Sequence, residues 1–377
     1  MKILHMITSL DRGGAEAHVY QLATLQKNRG YDVSILYFKG NGYWKKKLEN
    51  FGVDIYYFKF EIYFNILNYF FLIKLIKKLI KEKKISIIHC HLSFSEVIGS
   101  IIKFLLRDKI KLIISKHLDS FLFEGSRGQD KLLKGIFFEK IIFRLSDRVI
   151  CISDNVKKYF TGFHQYNKKF HTIYYGVNIP KVNIKVRNIL KKKHSINKNE
   201  IVISNIARHV NQKNLFFLLD VMEDVLFKRK LKFKLIMIGN GPLNDKLKRV
   251  SNYSNINQSI EWVNFTENIN EYLNLSDIFV LTSDYEGLGL VLLEAMSAEV
   301  PIIASNKSAI PEVIKNKYNG LLYSHNNKME FIECLEYLLK NKKIKKKFTN
   351  NGKKILQEKF NPYLMLKKTE NIYKLKT

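Results

Sequence analysis

Short, nearly continuous apolar runs recur along the chain, each followed by a longer stretch whose apolar residues return every three or four positions. The runs at 2–7, 33–38, 55–58, 85–90, 112–115, 149–153 and 172–175 fill the first half. Those at 201–207, 234–239, 260–263, 278–282, 301–305 and 320–323 fill the second. Strands buried on both faces of a parallel sheet read this way, without apolar–polar alternation. Segments such as 15–28, 214–227 and 290–297 have helical spacing. Strand–helix units repeated in both halves predict an α/β chain of two Rossmann-like, doubly wound parallel-sheet domains. The stretch 181–200 is rich in Lys and Asn and poor in either pattern, so it reads as a linker between domains at 1–180 and 201–361. Two such domains are expected to face a ligand across a cleft outside the carboxyl ends of their strands.

A length of 377 residues suits two cores rather than one. The hydrophobic share of 46% excludes a largely disordered chain. Cys90, Cys151 and Cys334 form no CxxC pair, so a disulfide framework or zinc ribbon is not expected, and a reducing, cytoplasmic setting is. The formal net charge of +30 points to nucleic acid, an anionic membrane surface or a polyanionic substrate. A bias toward Lys, Ile and Asn spread over solvated faces accounts for much of the same excess.

Residues 1–10 run into Asp11-Arg12-Gly13-Gly14 with no basic leader and no small-residue cleavage site, so they read as a first strand rather than a signal peptide. The most lipid-like stretch begins at Phe60. Its uncharged run, 62–73, falls short of the roughly 20 residues that span a bilayer. Tyr63, Phe64, Tyr69, Phe70 and Phe71 precede Lys74, Lys77, Lys78, Lys81, Lys83 and Lys84. An aromatic helix entering a lysine cluster reads as an interfacial anchor on anionic lipid, between Phe60 and Lys84. The plainer alternative is a core helix with a solvated basic end.

The sharpest motif is Glu286-Gly287-Leu288-Gly289-Leu290, continuing to Glu294 and Met296, between a strand and a helix. Gly287 and Gly289 let a ligand approach the backbone, and the helix N-terminus offers N–H groups and a positive dipole end to a phosphate. Glu286 and Glu294 then flank sugar or ribose hydroxyls. Arg208 and Lys213 follow another strand and are placed to close on the same phosphates. Gly13 and Gly14 link the first strand to the first helix. His117, just after a strand, is a candidate for a sugar hydroxyl or for developing charge. Gly239-Asn240-Gly241-Pro242 lacks the third glycine of a dinucleotide fingerprint, which disfavours a nicotinamide enzyme. No Asp-x-Asp, HExxH or P-loop lysine motif is present, so neither a metal nor a cofactor is expected.

Taken together, Gly13-Gly14-Ala15-Glu16, Arg29-Gly30-Tyr31-Asp32-Val33, Ser153, Tyr175-Gly176-Val177-Asn178, Arg208 with Lys213, Gly239-Asn240-Gly241-Pro242 and the Glu286 to Met296 run resemble the family 4 glycosyltransferases, retaining enzymes of the GT-B fold. The resemblance spans nearly the whole chain. It implies that Arg208 and Lys213 bind the donor pyrophosphate, Glu294 the ribose, and the backbone at Gly287, Leu288, Gly289 and Leu290 a phosphate. It further implies that Glu286 contacts the transferred sugar, with His117 near it and Gly14 near donor phosphate and acceptor. The segment 362–377 resembles the one that crosses back onto the first domain. Asn264 stands where the family usually has Gly, and Lys307-Ser308-Ala309-Ile310 replaces its usual Gly-Gly pair before Pro311.

The resulting expectation is transfer of a hexose or N-acetylhexosamine from a nucleotide-sugar, UDP-linked, to a lipid-linked glycan at the cytoplasmic face of a bacterial membrane, for capsule, O-antigen or exopolysaccharide. A GT-B epimerase acting on UDP-GlcNAc is the alternative enzyme. A nucleic-acid-binding protein is disfavoured, because the aromatics crowd into 60–71 instead of lining a basic stripe.

Overall fold

Two all-parallel sheets organise the computed structural model, which describes residues 1–59, 66–118, 129–162, 167–178, 184–197 and 199–375. The first comprises β1 (Lys2–Ser9), β2 (Asp32–Lys39), β3 (Asp54–Tyr57), β4 (Ile87–His91), β5 (Lys111–Lys116), β6 (Arg148–Cys151) and β7 (Phe170–Thr172). Its order is β3-β2-β1-β4-β5-β6-β7. The second comprises β8 (Ile201–Ile206), β9 (Phe233–Ile238), β10 (Ile260–Val263), β11 (Ile278–Leu281), β12 (Ile302–Ser305) and β13 (Leu321–Tyr323), in the order β10-β9-β8-β11-β12-β13. Each order reverses beside the first strand of its sheet, so both sheets are doubly wound. Every expected apolar run carries a strand.

Strand ends differ from expectation by up to three residues, for identifiable reasons. β4 continues to His91 because that imidazole is buried and hydrogen-bonded, so its polarity does not end the run. β7 stops at Thr172, yet Ile173 and Tyr175 beyond it remain buried.

The chain divides into one unit of residues 1–176 with the segment from Pro362 onward, and a second of Val177–Asn361. In the first, Met365, Leu366, Ile372 and Tyr373 of the helix Pro362–Lys374 pack with Ile3, Leu22, Ile87 and Ile113. In the second, the helix Leu215–Phe227 buries Leu215, Leu218, Leu219, Met222 and Val225, an i, i+3, i+4, i+7 stripe against β8, β9 and β11.

The stretch 181–200 is not a plain linker. It carries the helix Ile184–Lys193, and Leu190 with Ile196 packs on Val202, Ile236, Tyr272 and Leu275 of the second unit. Arg187 adds an ion pair to Asp277 at 2.8 Å.

The helix Ile66–Lys83 has two faces. Leu72, Ile76 and Leu79 are buried, while Leu67, Phe70, Phe71, Lys74, Lys77, Lys78 and Lys81 are exposed. Residues 60–65, with Phe60, Tyr63 and Phe64, lie outside the described residues. Among the described residues no helix is long and apolar enough to cross a membrane.

Candidate functional site

In the second unit, neighbouring strands β8 and β11 bring two loops together at their carboxyl ends. The 208–214 segment ends in a 3₁₀ turn, Asn211–Lys213, and Asn214 then takes a left-handed φ of 50° to hand over to the next helix. Asn tolerates that region better than most residues. The segment after β11 is laced to this turn. Thr282 Oγ1 donates to the Lys213 carbonyl at 2.9 Å, the Asp284 N–H to the Gln212 carbonyl at 2.8 Å, and Gln212 Nε2 to the Tyr285 carbonyl at 2.8 Å.

This lacing seats Glu286. Its Oε1 accepts from Lys213 Nζ at 2.6 Å and from Ser283 Oγ at 2.7 Å. The side chains are 9% exposed for Glu286 and 16% for Lys213, so the pair is well shielded from water. The Glu286 carbonyl accepts from Ser308 Oγ at 2.9 Å, which gives the 307–310 segment a fixed attachment to the site.

Gly289 follows with φ 82°, a left-handed value that makes glycine the natural residue there. It begins the helix Leu290–Ser297, whose N-terminus no side chain caps. The first N–H groups are therefore left for an anion. Glu294 is half-buried, about one turn in, and its carboxylate has no hydrogen-bond or ion-pair partner among the described residues. Burial pushes its pKa up to about 7.

Arg208 is exposed, and no hydrogen bond or ion pair holds its guanidinium among the described residues. The structure thus joins Lys213 to Glu286 by contact but not Arg208 to either. The loop carrying Arg208 is nevertheless fixed. The His209 N–H donates to the Asn240 carbonyl at 3.0 Å, and His209 Nδ1 lies 2.6 Å from Asn244 Oδ1. Gly239 has φ 145°, and a Cβ there would stand 1.9 Å from the Ala207 carbonyl oxygen. The Gly239-Asn240-Gly241-Pro242 run, weighed in the sequence for dinucleotides, thus serves as the bed for the Arg208 loop.

In the first unit, Gly13 is the N-cap of the helix Gly14–Asn28, and a Cβ on Gly14 would meet nothing within 4 Å. Glu16 accepts from Ser9 Oγ at 2.7 Å, tying the helix head to β1. Ser153 caps the helix Asp154–Thr161, accepting from the Val156 N–H at 3.1 Å.

His117 is buried, and both ring nitrogens are engaged, Nε2 with His91 Nδ1 at 3.2 Å and Nδ1 with the Tyr175 hydroxyl. Burial, with the Lys116 cation beside it, lowers its pKa to about 3. The ring is therefore neutral, and both its nitrogens are already engaged.

Sequence reasoning missed what surrounds it. His5, His18, His89 and His91 are all buried nearby. Lys116 is buried between Glu96 at 2.9 Å and Glu139 at 3.0 Å. Burial opposes the Lys116 charge, but the two carboxylates outweigh it and hold its pKa above the lysine range. Burial also raises Glu96 to about 7, against the pull of Lys116. The signal was a His-x-His on a buried strand, at 89 and 91, facing a His on the first strand.

Comparison with known proteins adds an independent line. The family model described as Glycosyltransferase Family 4 matches residues 12–180, and the one described as Glycosyl transferases group 1 matches residues 186–355. The chain is 26% identical to the capsular polysaccharide biosynthesis glycosyltransferase CapH of Staphylococcus aureus, over 84% of each chain. It is 23% identical to the N-acetyl-alpha-D-glucosaminyl L-malate synthase of Bacillus anthracis, over 78% of this chain and 75% of that one. Among solved structures, the Anabaena protein HepE in complex with UDP-glucose superposes with a TM-score of 0.86 at 19% identity, covering 100% of both chains.

Proposed function

The chain belongs to the family 4 glycosyltransferases and has the GT-B fold, and from this premise we propose a retaining, metal-independent enzyme that moves a hexose or N-acetylhexosamine from a UDP-sugar to a lipid-linked glycan in bacterial surface-polysaccharide synthesis. The observation that carries the reading is the Lys213–Glu286–Ser283 cluster at the uncapped head of the helix Leu290–Ser297. A diphosphate fits there, on the N–H groups of Gly287 to Leu290, with Lys213 and the exposed Arg208 as counter-charges. The unpartnered Glu294 is assigned to the ribose, and Glu286 to the transferred sugar. Gly14, at the open head of the first unit's helix, is assigned to donor phosphate and acceptor. His117, neutral and satisfied, shapes the sugar side rather than moving a proton.

Glu286 is held by Lys213 and Ser283, which suits a contact residue better than a nucleophile. Transfer then proceeds on one face of the sugar. The bond from the anomeric carbon to the diphosphate oxygen breaks as the acceptor oxygen bonds to that carbon, and the leaving diphosphate takes the acceptor proton. Arg208, Lys213 and the helix dipole stabilise the charge gathering on the diphosphate. The UDP donor is supported by the UDP-glucose bound to HepE, and the pathway by the capsular role in the name of CapH.

A membrane-borne acceptor is supported by exposed apolar residues on three neighbouring helices, Leu67, Phe70 and Phe71 with Phe104 and with Phe137 and Ile141. The lysines of the first of these helices lie beside them, which suits an anionic lipid surface. The test is a panel of nucleotide-sugars offered to the wild type and to Glu286→Ala with a lipid-linked acceptor. Transfer from one donor by the wild type and its loss in the variant are expected. Full activity of Glu286→Ala overturns the assignment.

A further inference from the structure

The buried histidines of the first unit form a hydrogen-bonded chain whose direction one amide decides. Strand register builds it. β1 pairs His5 with His89 on β4, and His91, two residues on, shares the face of His89. From the helix Gly14–Asn28, Gln26 reaches this face, with its Nε2 donating to the Tyr373 hydroxyl at 3.2 Å. Its Oε1 lies 2.7 Å from His5 Nε2.

An amide oxygen only accepts, so the His5 proton sits on Nε2. Burial lowers the His5 pKa to about 4, so the ring is neutral and its Nδ1 holds a lone pair. His91 Nε2, 3.1 Å away, must donate to that lone pair. His91 is neutral for the same reason, which leaves its Nδ1 to accept from His117 Nε2 at 3.2 Å. His117 Nδ1 in turn accepts from the Tyr175 hydroxyl.

The same amide orientation also satisfies the groups on its other side. The Tyr373 hydroxyl accepts from Gln26, so its proton goes to His89 Nδ1 at 2.7 Å, and His89 Nε2 donates to Ser115 Oγ at 2.8 Å. No group in this set is left with two donors or two lone pairs facing each other.

We propose that Gln26 is a positioning residue that acts through His5 and His91 to hold His117 in its Nε2–H tautomer, with the Tyr175 hydroxyl aimed at His117 Nδ1. Tyr175 stacks on His18, 4.3 Å between ring centroids, and His18 stands one turn from Gly14 on the same helix. The ordered end of the chain therefore adjoins the helix head assigned to donor and acceptor. That functional consequence rests on the transferase reading, whereas the tautomer claim does not. His5, His89 and His91 also bring ligand atoms within 4.8 Å of one another. A metal there would need lone pairs already committed, since His91 Nε2 carries the proton that His5 accepts.

The test is nuclear magnetic resonance of the full-length protein labelled with ¹⁵N-histidine, in which protonated and unprotonated ring nitrogens are distinct. In the wild type, His5, His91 and His117 should each show a single tautomer protonated at Nε2. In Gln26→Leu, His117 should lose that single tautomer for a mixture, while His194 in the second unit is unchanged. Tyr373→Phe removes the acceptor of the Gln26 amide N–H and should have the same effect, so the claim survives one variant failing to fold. A wild-type spectrum with Nδ1–H or mixed tautomers in any of the three rings overturns the proposal. So does a His117 signal indifferent to both substitutions. Neither reading requires transferase activity, so a wrong donor assignment leaves the result interpretable.

Discussion

Glu286→Gln separates donor binding from transfer. In the wild type, one carboxylate oxygen takes both the Lys213 ammonium at 2.6 Å and the Ser283 hydroxyl at 2.7 Å. The amide keeps the shape and an acceptor for Ser283, but a charge-assisted bond worth about 1.5–3 kcal/mol becomes a neutral-acceptor bond closer to the ordinary range of about 0.5–1.5 kcal/mol. Lys213 is then bound to residue 286 less tightly by about 1–1.5 kcal/mol, and its charge is free for a phosphate. With about 1.4 kcal/mol to each factor of ten, UDP should bind about 5- to 10-fold more tightly. Transfer moves the other way. Losing one group that acts on the reacting centre costs about 2.7–4 kcal/mol, or about 10²–10³ in kcat. Titration calorimetry with UDP measures the first effect, and initial rates at saturating donor measure the second. Weaker UDP binding with an unimpaired kcat would refute the reasoning, because Glu286 would then be a structural support for the phosphate site.

Three other variants follow from the same structure. Glu294 has a folded pKa of about 7, above its ordinary value of 4.5, so the folded state favours the protonated form and the wild type loses stability as pH rises from 4.5 through 7. Glu294→Gln carries no such penalty, so its melting temperature should exceed the wild type's at pH 8 by an amount matching about 1–3 kcal/mol, converge with it below pH 4.5, and come with weakened nucleotide affinity. Lys116→Met leaves Glu96 and Glu139 buried without their cation, and unfolding in urea should show a loss of about 3–5 kcal/mol. Phe70→Ser with Phe71→Ser removes two exposed rings of the helix Ile66–Lys83, and at about 1.5–3 kcal/mol for each ring buried in lipid, flotation with anionic vesicles should fall at least 10²-fold. Flotation equal to that of the wild type would remove this helix from membrane binding.

The sheets were legible because strands covered on both faces must be apolar throughout, a signal that needs no knowledge of partners. The same rule hid the end of β4, since His91 reads as polar although its nitrogens are satisfied by His5 and His117. The segment 181–200 misled because its lysines outnumber the two residues, Leu190 and Ile196, that anchor it. Placing 208–213 and 286–294 at strand carboxyl ends anticipated that these two loops meet, as the Lys213–Glu286 contact shows. That Glu286, rather than Glu294, takes Lys213 depends on lacing by Thr282, Gln212 and Ser283, which no spacing encodes. The histidine chain was least visible, since its links join residues 86, 26 and 58 apart in sequence. His117 looked like a lone cleft residue because its partners lie on other strands and in the segment after β7.

Hydrogen exchange of the intact protein with and without UDP bears most directly on the central claim, that a nucleoside diphosphate sits at the head of the helix Leu290–Ser297. Protection should appear in peptides covering 207–214 and 286–295, and Lys213→Ala with Arg208→Ala should abolish it. Protection confined to other segments, or none with UDP, GDP or their sugars at millimolar concentration, would contradict the account.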